Sequence, residues 1–116
     1  MTLTNRWPLA RHFLLSEFEE PGTHLVMVHP VLVQALDELR EKYGHPIRIS
    51  SGYRGAQHNA DVGGVPNSLH LIGAAADLIE TFGTLDLLYE CTKQLPQLLV
   101  IREVDHLHVE VAANWL

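Results

Sequence analysis
Between residues 29 and 44 the chain reads HPVLVQALDELREKYG, and the apolar positions Leu32, Ala35, Leu36 and Leu39 recur at intervals of three and four. That spacing puts them on one face of an α-helix. Pro30 suits the first helical position and Gly44 ends the pattern. Near the C-terminus the period falls to two. In DHLHVEV, Leu107, Val109 and Val111 alternate with His106, His108 and Glu110, which predicts a strand with one face in the core. LLVIREVDHLHVEV as a whole predicts two strands, and PIRISS (46–51) a short one. GAAADLIE (73–80) is compact and apolar; a buried strand fits it, although its alanines also allow a helix. TLDLLYECTKQL (84–95) predicts a helix capped by Thr84. In LSEFEEPG, Ser16 with Glu19 reads as a capping box, so a short helix is expected from Ser16 to just before Pro21-Gly22. The polar run GYRGAQHNADVGGVPNS (52–68) is expected to be loop, its Gly63-Gly64 pair serving a turn with positive φ or a close approach to substrate. Helices and strands mix without βαβ alternation. The predicted class is α+β, a small, largely antiparallel sheet flanked by helices in one domain spanning 1–116.

Composition narrows the function classes. With 47% hydrophobic residues the chain can bury a core, and its formal charge of −6 with no Lys/Arg cluster argues against nucleic acid as a partner. The single Cys91 excludes an internal disulfide and reads as a buried helix cysteine. No apolar run is long enough for a membrane span or a signal peptide, so synthesis in the cytoplasm is expected.

The chemistry starts at SLHLIGAAAD. Asp77 sits in a run of apolar side chains, where a carboxylate is costly unless paired, hydrogen-bonded or bound to a metal. His106 and His108 share the polar face of the last strand and can aim at one point. His70 precedes Asp77 by seven positions, and two histidines with one carboxylate form a frequent zinc set that leaves a position open. The bland alternative for the last strand is an exposed polar face. Glu110 lies on the same face, and support for a ligand is the lesser of its two readings, a plain polar position on the strand being the other. Among the eight histidines, His12, His24, His29 and His45 suit structural or solvent roles, and His58 a turn or a cleft wall. Trp7 and Trp115 are expected to tie the chain ends to the core.

The residues SGYR…HN…VGG…S-x-H-x-x-G-x-A-x-D…D-H-x-H-V resemble the zinc D-alanyl-D-alanine carboxypeptidase family, which shares its fold with the Hedgehog signalling domain. The resemblance spans about residues 13 to 112 and is closest to compact phage and prophage members. It implies zinc held by His70, Asp77 and His108, with Asp105 as general base and His106 as an accessory catalytic or orienting residue. Arg54 would polarise the scissile carbonyl, and Ser68 and Tyr53 would touch substrate, the alternative for Ser68 being a hydrogen bond to the backbone. The implied reaction is hydrolysis, by a metal-bound water, of a peptide bond in peptidoglycan stem peptides or cross-links. The implied setting is a monomer that reaches the wall after release or delivery, as in phage lysis or from a virion. On an ideal strand Asp105 and His108 face opposite ways, so the backbone is required to turn or bulge near 104–106. A wall-binding module with structural zinc is the alternative. A non-haem iron oxygenase fits poorly, because its ligand pair is commonly one residue apart on a many-stranded barrel.

Overall fold
The computed structural model describes residues 10–116, so Trp7 lies outside the described residues. The helix read from Leu32, Ala35, Leu36 and Leu39 is α1 (Pro30–Tyr43). All four residues are fully buried. His29 Nδ1 accepts a hydrogen bond from the Val31 N–H at 3.1 Å, and Gly44 stops the helix in the left-handed conformation. Asp37 is buried on the same helix because its carboxylate accepts the Arg11 and His12 N–H groups at 2.8 and 3.0 Å. The strands are β1 (Ile47–Ser51), β2 (Ala75–Glu80), β3 (Leu98–Arg102) and β4 (Leu107–Val111), with α2 (Ala56–Asp61) and α3 (Leu85–Thr92) between them. They form one antiparallel sheet in the order β1-β2-β4-β3. The α+β architecture expected from the sequence is the one observed. The alanine-rich run 73–80 contains strand β2, and Thr84 caps α3 by accepting the Leu87 N–H.

One face of the sheet is the core. Leu78, Leu107 and Val109 are 0% exposed there, packed with Leu32, Leu36 and Leu39 of α1 and Leu88 of α3. Each buried leucine contributes about 1.5–3 kcal/mol. Cys91 is half-buried beside this cluster. Among the described residues, no helix is long and apolar enough to cross a membrane.

Three local expectations are corrected. The first turn is a 3-10 helix, Leu15–Phe18, capped from Glu17, whose carboxylate accepts the Leu14 N–H at 2.6 Å. The Ser16–Glu19 capping box does not form, since Glu19 engages His24 instead. The run 52–68 is not all loop: it contains α2, followed by a second 3-10 turn, Leu69–Ile72. Trp115 is 46% exposed on a third such turn, Ala113–Trp115, and does not enter the core.

The opposite face of the sheet carries the chemistry. Ser51, Asp77, His108 and Ile101 are cross-strand partners in one row over β1, β2, β4 and β3. A bulge between Ile49 and Ser51 sets this register and brings Ser51 opposite Asp77. The segment after β1 closes one side, held by hydrogen bonds from Tyr53 N–H to Phe18 O and from Arg54 N–H to His70 O, at 2.9 and 3.1 Å.

Candidate metal centre
His70, Asp77 and His108 converge, with one ligand atom from each lying within 4.8 Å of the others. Three elements place them: His70 the 3-10 turn after α2, Asp77 strand β2, and His108 strand β4. Strand pairing brings Asp77 and His108 together, as direct register partners.

His70 is 1% exposed, and its Nδ1–H donates to the Gly52 carbonyl at 2.7 Å. A carbonyl only accepts, so the proton sits on Nδ1 and the Nε2 lone pair is bare. That buried Nε2 has no hydrogen-bond partner among the described residues. Asp77 Oδ1, 3.4 Å away, is also an acceptor. Leaving such an atom unmet costs about 1–3 kcal/mol. Two acceptors face each other here unless a proton or a metal cation lies between them.

His108 is arranged in the same way. Its Nε2 stands 2.8 Å from Glu110 Oε1 and its Nδ1 3.2 Å from Asp77 Oδ1. With Glu110 accepting the Nε2–H, Nδ1 is the nitrogen that turns to Asp77. The hydrogen bond to Asp77 raises the His108 pKa, against burial and with help from Glu110. Burial alone would push the Asp77 carboxyl up, but the hydrogen bond with His108, the largest of the opposing influences, helps to outweigh it, and the pKa lies well below the usual carboxylate range. A permanently ionised carboxylate between two imidazole nitrogens is the donor set that suits a zinc ion.

Arg54 completes the centre from the side. Its Nη2 donates to Asp77 Oδ2 at 3.0 Å, Nε to Ser51 Oγ at 3.1 Å and Nη1 to Asn59 Oδ1 at 3.3 Å. The guanidinium is therefore bound first to the Asp77 carboxylate, an arrangement that the sequence pattern alone does not reveal. Ser68 lines the cleft, and its hydroxyl accepts the His70 N–H at 3.2 Å, so the backbone hydrogen bond weighed for it does form. Gly52 and Asn59 are further participants that residue-type reasoning passes over, because one acts through its backbone carbonyl and the other is a buried amide.

Above the ligands lies a cleft of about 770 Å³, walled by residues 62–65 on one side and by Ile101 and Glu103 on the other. His106 lines it; Tyr53 and His58 do not. The turn required near 104–106 is present: Glu103 N–H donates to His106 O at 2.9 Å, and β4 starts only at Leu107. On this turn the Asp105 side chain is 86% exposed and its carboxylate lies 2.7 Å from His106 Nδ1. The hydrogen bond from His106 lowers the Asp105 pKa. The general base expected from the resemblance thus stands behind His106, which itself reaches the cleft.

An open site of two histidines and one carboxylate on an α+β fold is an arrangement that single-metal hydrolases use. A family model described as peptidase M15 matches residues 12–110, and the chain belongs to that family of zinc-dependent peptidases. A search of curated proteins found no match.

Proposed function
We propose that the protein is a zinc-dependent hydrolase of peptide bonds in peptidoglycan stem peptides or cross-links, of the D-Ala-D-Ala carboxypeptidase or endopeptidase type. The observation that carries this reading is the unpartnered, buried Nε2 of His70, set with Asp77 and His108 beneath an open cleft. Zinc, when bound there, supplies Lewis acidity and acidifies water to near neutrality. The chain's own residues do the rest. Asp105 is the general base, with His106 as its partner at the cleft surface. Gly52, Glu110 and Arg54 hold the three ligands from behind, through His70, His108 and Asp77 respectively. Each Nη of Arg54 keeps a second N–H, and these are the donors available to a substrate carbonyl. Ser68, which lines the cleft, is assigned to substrate contact, whereas Tyr53, outside that lining, keeps such a role only by resemblance; action on the cell wall after phage-type release likewise follows from the resemblance.

The exposed position of Asp105 favours a second reading, a wall-binding module with structural zinc. Defined muropeptides incubated with zinc-loaded wild type and Asp105→Asn, and analysed by mass spectrometry, separate the two. The enzyme predicts cleavage by wild type, loss on chelation, recovery with zinc, and a fall of ~10²- to 10⁴-fold in a variant that keeps its zinc. Binding of muropeptides by both proteins with turnover by neither establishes the module.

A further inference from the structure
Two of the buried polar side chains in this fold, Asp37 and Thr92, are hydrogen-bonded to backbone alone. Asp37 accepts the N–H groups of the N-terminal segment, and Thr92 donates to the Leu88 carbonyl on its own helix. Asn59 of α2 differs. It is 3% exposed, and the two ends of its amide reach different parts of the cleft. Its Oδ1 accepts from Arg54 Nη1 at 3.3 Å, and its Nδ2 donates to the Val65 carbonyl at 2.8 Å. The chemistry forces this orientation, because a guanidinium only donates and a carbonyl only accepts. Arg54 and Val65 both line the cleft.

We propose that Asn59 is a positioning residue that ties the 62–65 wall of the cleft to the metal centre by fixing the Arg54 guanidinium on Asp77. The inference rests on the reading of His70, Asp77 and His108 as metal ligands. A planar guanidinium needs more than one anchor to hold its plane. Ser51 on Nε and Asn59 on Nη1 supply two, and they leave Nη2 directed at Asp77 Oδ2. The wall is fitted to the same amide. A Cβ added at Gly64 would lie 2.0 Å from Asn59 Oδ1 and 3.0 Å from Arg54 Nη1, and the Gly64 N–H donates separately to the backbone carbonyl of Asn59 at 2.8 Å. Gly64 is therefore a close-approach glycine against Asn59, while its neighbour Gly63, at φ +77°, is the one that makes the turn. Removing or displacing the amide frees the guanidinium plane and the wall together.

Two variants perturb this brace in different ways. Asn59→Ala deletes the amide, whereas Gly64→Ala keeps it and pushes it aside with one methyl group. Zinc affinity is measured by competition with a chromogenic chelator, and amide exchange over 62–65 by mass spectrometry on zinc-free and zinc-loaded protein. Both variants should bind zinc about tenfold more weakly or worse, the usual effect of losing support behind a ligand. Asn59→Ala should add nothing in an Arg54→Ala background, since it acts through that arginine. In zinc-free protein, exchange over 62–65 should be faster in both single variants. Wild-type zinc affinity in both, an effect that adds to Arg54→Ala, or unchanged exchange in zinc-free protein overturns the proposal. If Asn59→Ala does not fold, Gly64→Ala carries both readouts. A wild type that binds no zinc removes the metal centre, and the zinc-free exchange measurement still decides the brace.

Discussion
Asp77 is the residue on which the site turns. Oδ1 faces both imidazoles and Oδ2 takes Arg54, so every oxygen of a buried carboxylate is used. Replacing any of His70, Asp77 or His108 by Ala should lower zinc content sharply, read by atomic absorption on the purified variants. Full occupancy in all three would remove the ligand assignment. The contact with Asp77 also changes what Arg54→Lys should do. Lysine keeps the charge but not the planar fork, so zinc affinity as well as turnover should fall, each by roughly tenfold or more. A variant with wild-type zinc affinity and reduced turnover would instead confine Arg54 to substrate. Glu110 offers a milder test. Glu110→Gln still accepts from His108 Nε2 and should retain zinc, whereas Glu110→Ala should weaken it by about tenfold; equal affinities would leave Glu110 without an orienting role.

At the scale of elements, the segment that carries Arg54 is pinned from a distance by Glu20. This buried carboxylate accepts the Gly55 N–H at 2.7 Å and the Thr23 hydroxyl at 2.6 Å, joining the N-terminal turn to the start of α2. The hydrogen bonds from Thr23 and then Gly55 lower its pKa below the ordinary 4.5, against desolvation. A depressed carboxylate contributes stability above its ordinary pKa and loses it as pH falls through the folded value. Glu20→Gln, which presents an NH₂ to one of these donors, should therefore melt below wild type at neutral pH. The gap should close as pH drops below 4.5, and a gap independent of pH would rule out the ionised carboxylate as the cause. Helix α2 shows why such elements escape sequence reading. Its six residues, Ala56–Asp61, are too few to be stable alone and carry no apolar stripe; contacts from Glu20 and to Val65 hold it. Helix α1 and strand β4 are legible because burial acts on every third or fourth residue in one and on alternate residues in the other.

For the whole molecule, the metal centre links the β2–β4 pair to the 52–72 segment, so zinc should stabilise the entire fold. Saturating zinc at about a hundred times its dissociation constant adds about 2.7 kcal/mol, which raises the melting temperature by roughly 10 °C. Excess chelator should reverse that shift in a calorimetric scan, and superimposable scans with and without chelator would exclude a tight site. The sequence by itself determined the α+β class, strands β1, β3 and β4 and helices α1 and α3, left β2 open between strand and helix, and singled out His70, Asp77 and His108 as one set only through the family resemblance. Period and capping are local signals, and a carboxylate in an apolar run asks for partners wherever the chain runs. Tertiary structure alone decided how those partners are supported. The Gly52 carbonyl on His70, the Arg54 fork on Asp77, the Asn59 amide between Arg54 and Val65, and the turn that puts Asp105 behind His106 all join atoms through a strand register, a bulge or a turn. Such contacts depend on where folded segments meet in space, and no spacing along a chain specifies that.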